Sequence, residues 1–427
     1  MRMNNFLRLM LTLCVLAIAS GEVIASTSSV FAAKEEVPRL QWKGKKIEIA
    51  LSRSLLLNSP NIKVGSDVAG AIRRSIAAWQ NVAAVEIRTQ ETSRQDVSPS
   101  GLVGDGVSLI TIAASPENIL FFAKDPYAAS AKTRIFYNRR GHITEADIVL
   151  NPFQLFSTDG SYGTFDLEST LRHEIGHLLG LRHSAVVGAT MYDSATKNGV
   201  FGTGFSDLGL TEDDIAAVRG IYGSAEPEQD CCGSIVGRIS PTVRGGREYT
   251  VWVQESATSR LVANSVTDRS RNFRIEGLKQ GKYSVFAVET GKSQRYSAQF
   301  VDDVKVENES VSTVTVRYIR QPINYSLELL GTNGILSDSP IFLQRGSTQR
   351  IFAGGMKLST DRVRFECDSP YLSIEPDSVE NIQFDSDLTG VSFSITVDPD
   401  TPPGQYNILA KSADGSYDVR IGAISVR

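Results

Sequence analysis

Three of the four histidines in this chain lie close together, at His173, His177 and His183. His173 and His177 are four residues apart, with Glu174 between them. On a helix, residues four apart share one face a turn apart, so two imidazoles can address a single metal ion. Leu167, Leu171, Ile175, Leu178 and Leu179 form an apolar stripe roughly opposite the two histidines. That spacing predicts a helix with one packing face and one binding face. Gly180 can take the left-handed conformation that ends a helix, so the chain can turn back and bring in His183 as a third ligand. Three neutral imidazoles hold Zn²⁺ at about 2.0–2.1 Å and leave a fourth position for water, the open geometry of a catalytic zinc. Glu174 is then placed to take a proton from that water and pass it to a leaving amine, while zinc polarises the scissile carbonyl.

The extended pattern H-E-x-x-H-x-x-G-x-x-H followed by a methionine is far more specific than H-E-x-x-H alone. On these residues the chain resembles the metzincin metalloproteases, and within them the matrixins. Ser184 directly after the third histidine fits, as does the Met-turn-like run Ala189-Thr190-Met191-Tyr192. Residues 210–223, with the paired acids Asp213 and Asp214, resemble the family's closing helix. The resemblance implies one catalytic Zn²⁺ on His173, His177 and His183, Glu174 as the catalytic base, and Met191 as a hydrophobic base beneath the metal. It implies an α+β metzincin domain, a twisted and mostly parallel five-stranded sheet with three helices. It also makes the strand at 132–138 the cleft-side edge, to which a substrate peptide adds as a further strand with sequence-tolerant main-chain hydrogen bonds. One of Asp213 and Asp214 would tether the mature amino end; the other reading is a pair of ordinary first-turn acids.

The chain also departs from the family pattern. Only His142 remains outside the motif, so a second, structural zinc is not expected, and His142 reads as a surface residue at a turn. No cysteine-switch segment is found, so thiol-blocked latency is not expected either. The proline and tyrosine that form the S1′ wall are replaced by Asp193-Ser194-Ala195. Ca²⁺ is a candidate second cofactor, with Asp147 and Asp159 as candidate ligands, although no EF-hand spacing is present.

The elements that must carry this site fit one α+β unit at 38–223. A strand is expected at 46–51, and a helix begins after Ser66 and Asp67 with Val68, Ile72, Ile76 and Trp79 on its apolar face. Strands follow at 85–89 and 107–113, then a hairpin of 132–138 and 143–151 turning at Arg139-Arg140-Gly141. Residues 1–32 read as a secretory signal peptide, with Arg2 and Arg8 before a short apolar core. A secreted or extracellular location is therefore expected, or the periplasm in a Gram-negative cell. Residues 224–232 read as a polar linker. Two all-β sandwich domains follow, 233–319 resembling carboxypeptidase-regulatory-like modules and 321–427 resembling immunoglobulin-like ones.

With 427 residues, two to three domains are expected. The net charge of −4 gives no electrostatic case for nucleic acid, and no apolar run is long enough for a membrane span. Export would leave Cys231, Cys232 and Cys367, an odd set whose pairing stays open between the neighbours and either of them with Cys367. The β modules carry no cluster of reactive groups. They read as spacers or stability modules, or as sites for a cell-surface or matrix partner that raises local substrate concentration. The expected function is a secreted zinc metalloendopeptidase acting on proteins or peptides. The alternative is an exported adhesion or scaffold protein whose protease-like domain binds metal and cleaves little.

Overall fold

The computed structural model describes Glu22–Ile24 and residues 39–427, apart from 58, 102, 128, 195–196, 200–208, 227–230, 244–247, 292–293 and 385–388. Most of the expected leader and part of the expected linker therefore lie outside the described residues. In chain order the first part carries β1 (Glu22–Ile24), β2 (Gln41–Trp42), β3 (Lys46–Ser52), α1 (Arg53–Leu56), α2 (Val68–Gln80), β4 (Glu86–Thr92) and β5 (Leu109–Thr111). It continues with α3 (Pro116–Leu120), β6 (Ala131–Tyr137), β7 (His142–Leu150), β8 (Phe156–Ser157), β9 (Phe165–Asp166), α4 (Leu167–Leu178) and α5 (Glu212–Tyr222).

The main sheet runs β6-β7-β5-β3-β4. The pairs β3–β4, β3–β5 and β5–β7 are parallel, and β6–β7 is antiparallel. β2 joins β7, and β1 lies antiparallel along the outer edge of β6. The residue pattern explains the burial. In β3, Ile47, Ile49 and Leu51 are buried while Lys46 and Glu48 face water, the alternation of a half-covered strand. In the middle of the sheet, Ile148, Val149 and Leu150 of β7 run consecutively with no exposure, as a strand covered on both faces must. Helix α2 starts where the Asp67 carboxylate accepts from the Gly70 N–H at 2.8 Å. Its Ile72, Ile76 and Trp79 join Leu171, Ile175 and the sheet in one core.

After α5 the described chain is built of strands, apart from one 3₁₀ turn at Pro376–Ser378. They begin with β10 (Cys231–Pro241), β11 (Tyr249–Glu255), β12 (Leu261–Val266) and β13 (Asn272–Lys279). A three-stranded sheet is ordered β13-β10-Val311–Tyr318, and an eight-stranded sheet runs through β11, β12, Gly404–Ser412 and Tyr417–Val426. The strand groups at 233–319 and 321–427 each have an apolar core, yet Leu261 pairs with Gln405. Hydrogen bonding therefore crosses the expected boundary at 320. Helix α5 packs on β12 and β13, so the protease-like part and the strands behind it share a face. Cys231 and Cys232 are joined to each other, and Cys367 is free, one of the pairings left open above. Among the described residues no helix is long and apolar enough to cross a membrane.

Candidate metal centre

Helix α4 is fixed along its whole length. Asp166 caps it by accepting from the Ser169 N–H at 2.7 Å. Leu167, Leu171, Ile175 and Leu178 show no exposure, each worth about 1.5–3 kcal/mol of burial. The Trp79 indole donates to the Arg172 carbonyl at 2.9 Å. At the helix end, the Trp42 indole donates to Leu178 O and the Tyr222 hydroxyl to Leu179 O, both at 2.8 Å. These bonds satisfy carbonyls that a helix terminus leaves open. Two glycines set close approaches. A Cβ on Gly176 would stand 2.2 Å from Met191 Sδ and 2.9 Å from the Trp79 ring. Gly180 has φ +96°, and a Cβ there would stand 2.4 Å from Leu40 O. The sharp turn expected at Gly180 is present.

That turn brings the three imidazoles together. His177 Nε2 is 3.1 Å from both His173 Nε2 and His183 Nε2. Among the described residues, these three form the group of His, Cys, Asp or Glu close enough to share a metal, with ligand atoms within 4.8 Å of one another. The other ring nitrogens face outward. His173 Nδ1 is 2.7 Å from Thr190 O, His177 Nδ1 is 2.9 Å from Leu181 O, and His183 Nδ1 is 3.5 Å from an Asp193 carboxylate oxygen. A proton on each Nδ1 leaves three Nε2 lone pairs aimed at one point, and lone pairs cannot hydrogen-bond one another. Ligands of a tetrahedral zinc stand roughly 3.3 Å apart, close to the observed spacing. Burial favours the neutral rings that a metal needs. It pulls His173 down to about 4, with His183 adding to the effect, and it lowers His177 and His183 as well. The donor set fits zinc.

Glu174 points from the same helix and is only 5% exposed. Burial pushes its carboxyl up to about 7, and a hydrogen bond from Thr133 acts against that rise. Thr133 was not singled out by sequence; it lies on β6, far from the motif along the chain. Met191, 2% exposed, sits beneath α4 at Gly176. Asp214 holds the turn around Met191, accepting from the N–H groups of Thr190 (2.8 Å), Met191 (3.0 Å) and Thr211 (2.9 Å) and from the Thr211 hydroxyl (2.7 Å). Asp213 accepts from the Ser184 hydroxyl and from Asn264 on β12. Both acids are buried at 4% or less. Both stand in the first turn of α5, with Asp214 in its capping box, while the mature amino end that one of them would tether lies outside the described residues.

Other expected residues have different surroundings. Asp147 is buried, accepting from the N–H groups of Ser98 and Leu109 at 3.0 Å each, with Glu145 beside it on β7. Asp159 is exposed and pairs with Lys63 at 2.5 Å. Neither belongs to a metal-sized cluster among the described residues, so nothing here supports calcium. His142 is half-buried at the start of β7. Of the altered wall, Asp193 faces His183, the Ser194 hydroxyl donates to Asp338 at 2.7 Å, and Ala195 lies outside the described residues.

The family description that matches this chain is Matrixin, over residues 41–223. Metalloendoproteinase 1 of Glycine max is 28% identical over 176 residues, covering 39% of this chain and 48% of its own length. Metalloendoproteinase 1-MMP of Arabidopsis thaliana is 27% identical over 187 residues, covering 43% and 44%. Interstitial collagenase of Bos taurus is 38% identical over 66 residues, covering 16% and 13%. The chain spans about half or less of the length of these curated relatives. Among solved structures, the major pilin subunit BcpA of Bacillus cereus aligns with 44% of this chain and 67% of its own at 11% identity. Its TM-score of 0.20 is too low to assign a fold to any part of the chain. With the α+β architecture and the histidine cluster in place, residues 41–223 are a matrixin-like domain of the metzincin type.

Proposed function

We propose that this protein is an exported zinc metalloendopeptidase. The observation that carries the reading is the convergence of three Nε2 atoms whose partner nitrogens each face an oxygen acceptor, next to a buried Glu174. His173, His177 and His183 hold the metal, Glu174 is the general base and then the acid, and Met191 forms the floor. Zinc held there supplies Lewis-acid polarisation of a scissile carbonyl and an acidified water.

The chain's own residues do the rest. The outward Nδ1 contacts to Thr190 O, Leu181 O and Asp193 hold each imidazole in the tautomer that presents Nε2. Burial keeps the Glu174 carboxyl near neutrality, where one group can both accept and return a proton. The Thr133 hydroxyl fixes one carboxylate oxygen and leaves the other to serve the reaction. Removal of the leader would take β1 off the outer edge of β6 and leave the main-chain groups there to an extended peptide, so protein or peptide substrates suit the site. The leader-like residues 1–32 direct export.

The test is cleavage of a mixed peptide library by the full chain, with and without a chelator. Chelator-sensitive cutting supports the reading, and zinc retention without any cutting under activating conditions contradicts it.

A further inference from the structure

Between His183 and Met191 the chain leaves the metal centre and returns to it. The Ser184 N–H donates to Met191 O at 2.8 Å and Ser184 bridges Tyr192, which closes this excursion at its base. Its apolar residues do not pack on the protease sheet. Val186 (0% exposed) and Ala189 (5%) cluster with Trp252, Leu261, Ala298 and Ile421. Val187 (3%) joins the core of the strands at 321–427, and its N–H donates to Ile421 O at 2.9 Å. A Cβ on Gly422 would stand 2.5 Å from Val186 Cγ1, and one on Gly188 would stand 2.0 Å from Gln405 Nε2, so the fit is close.

Asn264 on β12 reaches the base of the same excursion. Its Nδ2 donates to Ser184 Oγ at 2.8 Å and to the Asp213 carboxylate at 2.8 and 2.9 Å. Its N–H donates to Asp213 Oδ1 at 2.6 Å, and its Oδ1 accepts from the Ala185 N–H at 3.4 Å. The Ser184 hydroxyl donates in turn to Asp213 and accepts from the Val186 N–H. One side chain from the β region thus ties the residue after His183 to helix α5.

We propose that Asn264 is a positioning residue for the zinc site, and that the strands around it are a working part of the catalytic unit rather than a spacer. The proposal rests on the zinc reading above. A shift at Ser184 moves His183 directly. It also moves Thr190, whose carbonyl orients the His173 ring, and Met191 beneath the helix. Outer partners that orient metal ligands typically matter by about 10–100-fold in metal affinity or activity when removed.

The test uses the full chain, Asn264→Ala, and Val316→Ala as a control. Val316 is 2% exposed in the core of the strands at 233–319 and does not touch the excursion. Each protein is measured for zinc affinity against a competing chelator, for the melting temperature of the metal-free chain, and for kcat and KM on a cleaved peptide. Asn264→Ala is expected to bind zinc roughly tenfold more weakly and to lower kcat with KM little changed. Val316→Ala is expected to melt earlier while keeping both. Zinc affinity within about twofold of the parent in Asn264→Ala, against the 10–100-fold range for such partners, overturns the proposal. Losses that simply track melting temperature in both variants overturn it too. A parent that holds no zinc sinks the zinc reading and this proposal with it. A parent that holds zinc but cuts nothing sinks only the protease reading, and the affinity comparison still decides the role of Asn264.

Discussion

The Thr133 hydroxyl on β6 donates to Glu174 Oε2 at 2.5 Å, joining the sheet to the helix of the histidines. Thr133 has no exposure, so water does not compete for this bond. Burial raises the Glu174 carboxyl to about 7, and the Thr133 bond favours its charged form. Thr133→Val keeps the shape and removes the donor, so the Glu174 pKa rises further and less of the base is ionised at acidic pH. The acidic limb of the kcat/KM profile should move to higher pH, by up to about one unit, with roughly tenfold less activity on that limb. Thr133→Ser should restore the parent profile. An unmoved limb in Thr133→Val would show that the hydroxyl does not tune the base.

The carboxylate of Asp214 gathers four donors, two of them the backbone N–H groups of Thr190 and Met191. Asp214→Ala leaves those groups buried without an acceptor and removes the reciprocal cap of α5. The expected loss is about 3 kcal/mol, read as a lower melting temperature of the metal-free chain. Asp214→Asn, which keeps one acceptor oxygen, should fall between the two.

Asp368 gives a pH-dependent test away from the metal centre. It accepts from the Gln254 amide at 2.6 Å, and burial raises it to about 6 against the pull of Gln254 and Asn407. A carboxyl raised in the folded state binds its proton more tightly there than when unfolded. Its contribution is therefore full below about pH 4 and is lost as pH climbs through about 6. Asp368→Asn keeps an acceptor for Gln254 and cannot ionise. It should be more stable than the parent by about 2 kcal/mol at pH 8 and no better at pH 4, by thermal unfolding of the metal-free chain. An equal gain at both pH values would rule out ionisation as the cause.

The metal centre was legible because its geometry is local. The four-residue spacing of His173 and His177 follows from helix periodicity, and Gly180 announces the turn that returns His183. The strand β3 was legible in its alternation and the β6–β7 hairpin in its turn at Arg139-Arg140-Gly141, whereas the order of strands in the sheet was not. The supporting contacts were not legible, because they join residues far apart in the chain. Thr133 meets Glu174 across 41 positions, and Asn264 meets Ser184 across 80. No spacing rule links such pairs. Val186 and Val187 look like ordinary loop residues until the strands that bury them are in place. Asp213 and Asp214 were legible as first-turn acids of α5, but their donors were not, since these come from Ser184, Asn264 and the Met191 turn.

In the proposed reaction Glu174 performs the proton transfer while the three histidines hold the metal. The most direct measurement compares the full chain with Glu174→Ala for zinc per chain and for cleavage of a mixed peptide library, with and without a chelator. One zinc is expected in each protein, with chelator-sensitive cleavage by the parent and a loss of about 10²–10⁴-fold in the variant. Cleavage by Glu174→Ala at a rate near the parent's, or loss of its zinc, would contradict the assignment.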